Sequence, residues 1–200
     1  MFEQKVNMMI KMKLAKFSLA VMIAASVSSV FPRAVSAQTA AGITVGDNVS
    51  EYNVLETRKS QIYAIEPPQS SSLVENYLVG TTSDGLIHTV LLSGYTHSNN
   101  EYGDECKSEY DNIKQALTSK YGSGESYEFL RSGALWDRSG DFVPSLYENE
   151  RSHETFWELQ NDKLINLKIS AASHSACWVT VGYRDSDLFN QANPRDYSVF

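Results

Sequence analysis

Cysteine is scarce in this chain. Two cysteines among 200 residues exclude both a disulfide-dense miniature scaffold and a four-cysteine zinc module. Histidine is nearly as scarce, at positions 88, 97, 153 and 174. His153-Glu154 opens like a zinc-protease signature, but Trp157 stands where the second histidine belongs. His97 and Glu101 have helical spacing yet lie among loop-forming residues, so no metal-ligand set is assigned. The nucleophile elbow Gly-x-Ser-x-Gly is missing: Gly122-Ser123-Gly124-Glu125-Ser126 has its composition without its spacing. No glycine-rich phosphate loop joins a strand to a helix, and no cofactor is implied. Basic residues are in the minority, 17 Lys and Arg against 24 Asp and Glu. That balance argues against a nucleic-acid or anionic-membrane partner, which would need a basic surface.

The first thirty-seven residues have a different character. Lys5, Lys11 and Lys13 make a basic start, and Leu14 to Phe31 is apolar or small apart from Lys16 and a few serines. Val35-Ser36-Ala37 then offers small or modest residues where a signal peptidase reads. The pattern predicts a secretory signal over residues 1–37, cut before Gln38, with one domain over 38–200. The rival, a retained anchor, is short of the roughly 20 apolar residues that span a bilayer comfortably. No cysteine follows the run, so a lipoprotein anchor is not supported. Cleavage would remove five of 17 basic and one of 24 acidic residues, leaving 12 against 23. An exported, acidic chain suits a periplasmic or secreted location, a protein partner that is itself basic, and no membrane association after cleavage.

What is abundant is hydrophobic periodicity. Cys106, Tyr110, Ile113, Leu117 and Tyr121 fall on one helical face between Asp104 and Gly122, with acids at the start and Lys120 near the end. Strand-like runs occupy 61–65, 73–79, 86–92, 153–159, 164–171 and 177–184. Gly80 to Gly85 is rich in turn residues and predicts a hairpin. Asp47 or Ser50 can cap a short helix through Val49, Tyr52 and Leu55, and Asp141 a second through Leu146. The span from Gly122 to Gly140 reads as irregular, and residues after Asp185 as surface wrapping. The expected fold is α+β: antiparallel sheet with one long central helix and one or two short helices packed on one face. Each half reads as one helix followed by three strands.

Gly42-Ile43-x-x-Gly46, followed by a short helix, resembles the opening of small bacterial envelope modules such as the β-lactamase inhibitor proteins and the small outer-membrane-assembly lipoproteins. The likeness is confined to this opening, and the lipoprotein cysteine is not there. It implies helices on antiparallel strands and a role in binding other proteins.

The remaining chemistry is sparse. His174-Ser175-Ala176-Cys177 could bring an imidazole to a thiolate, or simply place a loop histidine beside a structural cysteine. His88 alternates with Leu86 and Val90, as a hydrogen-bonded, partly buried histidine would. In an oxidising compartment Cys106 and Cys177 are expected to form a disulfide, since each lies on the inward face of its element. No catalytic residue is assigned. Tyr95, Tyr102 and Trp136 lie in polar or glycine-containing loops and are the candidate interface residues, although Trp136 can also pack under its own loop. The expected function is an exported module that binds another protein, as an inhibitor or immunity-type partner. The alternative is a hydrolase whose residues are scattered along the chain.

Overall fold

The computed structural model describes residues 38–194; the expected signal peptide lies outside them. The chain opens with a small hairpin, β1 (Thr39–Ala40) and β2 (Ile43–Thr44). Its two-residue turn puts Ala41 at φ 53° and Gly42 at φ 79°, the left-handed pair such turns require. A side chain at 42 would also collide with Pro68, whose Cβ lies 2.8 Å from where a Cβ would stand.

The strands that follow are β3 (Asn53–Lys59), β4 (Ile62–Glu66), β5 (Asn76–Thr81), β6 (Ile87–Ser93) and the short β7 (His97–Ser98). Next come helix α1 (Asp104–Tyr121), β8 (Glu125–Leu130) and α2 (Phe142–Tyr147). The chain continues with β9 (Arg151–Glu158), β10 (Lys163–Ser173), β11 (Ala176–Asp185) and helix α3 (Ser186–Ala192). Among the described residues, nine strands form one sheet in the order β3-β4-β5-β6-β11-β10-β9-β8, with β7 pairing β11 at the side. Every pairing is antiparallel. The sheet is therefore two four-strand meanders, each ending on its central strand, joined where β6 meets β11.

This corrects the expected architecture. The sheet organises the molecule, and no long central helix does. α1 packs mainly on β10 and β11, and its Tyr110 and Lys114 reach Thr155 of β9 and Glu128 of β8. The helices also do not share one face. α1 and α2 lie on the side of Ile165, Leu167, Ile169, Val179 and Val181. α3 packs against β6 and β11 on the opposite side, where Phe189 meets His88 and Arg184. The expectation failed for a physical reason. β3 is exposed at every residue and β8 at all but its last. An edge strand with neither face buried carries no alternation to read. From sequence alone the span 122–140 therefore reads as irregular, and Leu55, 65 % exposed on β3, as part of a helix. The helical signal there is a single 3-10 turn, Val49–Glu51, held by an Asn48–Glu51 capping box.

Two apolar clusters flank the β6–β11 seam. One joins α1 and α2 to β9, β10 and β11. The other packs the opening hairpin on β4, β5 and β6 through Ile43, Ile65, Val79, Ile87 and Val90. Ile165, Leu167 and Ile169 are wholly buried, and each such side chain contributes about 1.5–3 kcal/mol of transfer free energy. Cys106 and Cys177 form a disulfide with Cα atoms 6.4 Å apart and both residues fully buried. It pins the first turn of α1 to the start of β11. Among the described residues, no helix is long and apolar enough to cross a membrane.

Candidate functional site

Four segments converge near the α2 end of the sheet. The loop before α1 carries Tyr102, and the loop between β8 and α2 carries Leu135 and Trp136. α2 ends at Tyr147 and Glu148, and the β10–β11 turn carries His174. Asn100 links the first of these to the last. Its backbone N–H donates to the Ser175 carbonyl at 2.9 Å, and its side-chain oxygen accepts from the Asp104 N–H at 3.0 Å. Asn100 thereby supplies a partner for the start of α1, a task that local sequence would have assigned to a residue next to the helix.

The β8–α2 loop is held by one carboxylate. Glu150 is 7 % exposed, and its Oε2 accepts from the backbone N–H groups of Leu135 at 2.8 Å and Trp136 at 3.0 Å. Its Oε1 lies 3.5 Å from Arg131, and the Arg131 N–H donates to the Glu150 carbonyl at 2.7 Å. The loop is thus closed onto the start of β9 at both ends of Glu150. With its backbone so fixed, the loop presents Leu135 at 85 % exposure.

Trp136 tilts against the His174 ring at 4.7 Å between centroids, and Tyr147 meets the same ring edge-on at 5.1 Å. His174 Nε2 and Glu148 Oε1 are 2.6 Å apart. The imidazole is the centre of this stack, and a carboxylate orients it. Tyr102 is 57 % exposed and lies against Gly140 at the far end of the Trp136 loop.

Of the three candidate interface residues, then, Tyr102 and Trp136 share one end of the molecule. Tyr95 is half exposed and, among the described residues, has no ring contact with either. Trp136 is half-buried, supported by His174 rather than absorbed into the core. Sequence reasoning passed over Leu135, Tyr147, Glu150 and His174 as members of this group. A leucine beside a tryptophan in a glycine-containing loop was the available signal; the closing carboxylate is fifteen positions away and has no sequence signature.

The other candidates resolve differently. Cys177 is oxidised, so His174 faces no thiolate. His97 of β7 pairs with Glu109 of α1 at 2.9 Å, both side chains partly buried. Among the described residues, His97 and His174 are hydrogen-bonded to carboxylates, whereas His88 Nδ1 lies 2.9 Å from the Thr89 hydroxyl. His153 is packed between the Tyr110 and Phe142 rings. Burial lowers its pKa, opposed by Glu128 and Asp111 and reinforced by Lys114 and Arg151. Beside it the buried Tyr110 hydroxyl bonds Thr155 at 2.6 Å and donates to Glu128 at 3.1 Å, and burial drives the phenol's pKa well up. This network serves the core. Among the described residues, no group of three or more His, Cys, Asp or Glu is arranged to hold a metal.

Comparison with family models, curated proteins and solved structures gives no match to this chain.

Proposed function

We propose that this is an exported protein-binding module, of the inhibitor or immunity type, that engages its partner through the aromatic end of the sheet. One observation carries the reading: Leu135 is 85 % exposed on a loop whose backbone is clamped by the buried Glu150. An exposed leucine on a slack loop would cost ordering entropy on binding. On a fixed loop it is ready to seat in a pocket. Tyr102, Trp136 and Tyr147 around it are the residue types that dominate binding energy at interfaces. The net negative charge suits a basic partner surface and would speed encounter with it.

Export is part of the proposal. Residues 1–37 carry the signal, the mature chain begins at Gln38, and the protein works in the periplasm or outside the cell. The buried Cys106–Cys177 bridge supports an oxidising compartment. The likeness of Gly42-Ile43-x-x-Gly46 to the small envelope binding modules points the same way. The test is retention of envelope proteins on immobilised mature protein, comparing wild type with Leu135→Asp and with Leu55→Asp. A protein retained by wild type and Leu55→Asp but lost from Leu135→Asp supports the reading. Equal retention by all three would sink it, and so would none by any.

A further inference from the structure

The opposite face of the sheet holds a separate cavity of about 340 Å³ under α3. Its position comes from a β-bulge. Gly80 pairs with Thr89 and Thr81 with Ile87, so His88 is the extra residue of β6. A bulge re-aims its side chain. His88 leaves the Val90 face, lies over Gly80, and meets Phe189 of α3 edge-on at 5.3 Å. Its Nδ1 is 2.9 Å from the Thr89 hydroxyl. His88 is thus hydrogen-bonded and buried, as its spacing suggested, but on the face opposite Val90.

The cavity's chemistry is one-sided. Ile62, Leu78, Leu91 and Phe189 supply apolar walls. Arg184 is a lining cation, with its guanidinium 4.0 Å above the Phe189 ring. Among the described residues, no carboxylate pairs with Arg184, and no Asp or Glu lines the cavity. Its Nε is buried without a hydrogen-bond partner, as is the hydroxyl of Thr81, another lining residue. In a chain with 24 acidic residues, a half-buried arginine left without an acid is unusual, because an unpaired buried charge is expensive. Burial, and next the Arg184 cation, lower the His88 pKa, so the imidazole is neutral at pH 7. The site holds one fixed positive charge.

We propose that this cavity binds a small monocarboxylic acid with a short apolar or aromatic body, its carboxylate on Arg184 and its body against Leu78, Leu91 and Phe189. A guanidinium pairs a carboxylate through two parallel hydrogen bonds. One cation balances one carboxylate, whereas a dianionic phosphate would be left with excess buried charge. The volume lies at the small end of ligand pockets, which run about 300–1,000 Å³. The site is independent of the aromatic end, so either can fail without the other.

The test is calorimetric titration of the purified protein with phenylacetate and hexanoate, and with phenylacetamide as the neutral match. The carboxylates are expected to bind, with phenylacetamide at least about ten-fold weaker. Arg184→Gln should lose phenylacetate binding by a similar factor, and Arg184→Lys should fall between. Leu78→Trp fills the cavity without touching the charge and should abolish binding, which keeps the test decisive if Arg184→Gln misfolds. No binding of either acid at about 10 mM, equal binding of phenylacetamide, or undiminished binding by folded Arg184→Gln or Leu78→Trp would each overturn the proposal.

Discussion

Replacing Glu150 by alanine should loosen the β8–α2 loop while leaving the sheet intact. The carboxylate accepts two backbone N–H groups at 2.8 and 3.0 Å. A hydrogen bond to a charged group contributes about 1.5–3 kcal/mol when its loss strands a buried partner. Here Leu135 is exposed and Trp136 only half-buried, so water can replace part of what is lost, and about 1 kcal/mol per bond is the better figure. The Arg131 pair adds little, because the arginine side chain is 63 % exposed and such pairs contribute about 0–1 kcal/mol. Glu150→Ala should therefore cost about 2–3 kcal/mol. Glu150→Gln, which keeps a carbonyl acceptor of the same size, should cost about 1 kcal/mol. Urea unfolding would read the stability difference, and amide hydrogen exchange at Leu135 and Trp136 would read the loop itself. Protection at those two amides should collapse in Glu150→Ala, while Leu167 and Val179 keep their ranking among the slowest. Wild-type stability with unchanged exchange at 135 and 136 would refute the clamp.

Three further outcomes follow from the same geometry. Replacing both cysteines by alanine opens a loop with a sequence separation of 71 and should cost about 4 kcal/mol by chain entropy; a thermal midpoint within about 2 °C of wild type would contradict it. Leu117→Asp places a carboxylate in the α1–β10 core and should cost several kcal/mol, roughly half a domain's stability or more. Lys114→Asp should also be felt, though less, because Lys114 pairs with Glu128 at 2.5 Å and lies 5.6 Å over the Tyr110 ring; equal urea midpoints for the two variants would show that the face is wrongly assigned. His88 and His153 both have pKa values lowered in the fold, chiefly by burial. The unfolded chain therefore takes up protons first as pH drops through about 6.5. Stability should fall from pH 7 toward pH 5, and less steeply in His153→Gln. A stability that rises over that window would be the wrong sign.

The sequence made legible what burial writes into it. The alternation of Ile165, Leu167 and Ile169 with polar neighbours marks a strand with one buried face. The spacing of Cys106, Tyr110 and Leu117 marks the helical stripe that meets it. Features set by register or by distance were not legible. β3 and β8 are edges without a buried face. α3 is seven residues with no fully buried side chain, and its cap, Asp185, also ends β11. The bulge at His88 depends on how β5 meets β6. The clamp from Glu150 to Leu135 crosses from one strand start to a distant loop. Tyr102 and Trp136 could be picked as loop aromatics from their neighbours alone. That Trp136 stacks on His174 and Tyr102 lies against Gly140 depends on which loops the sheet brings together.

The central claim is that the clamped aromatic end is where a partner sits. A photo-crosslinking residue placed at Leu135, and separately at Leu55 on the far edge strand, tests it in the exporting cell. Both positions are exposed, at 85 % and 65 %, so accessibility does not distinguish them. A discrete crosslinked protein at 135 that is absent at 55, and that disappears when Trp136→Ala is added, is the expected result. The same crosslinks at both positions, or none at 135, would contradict it.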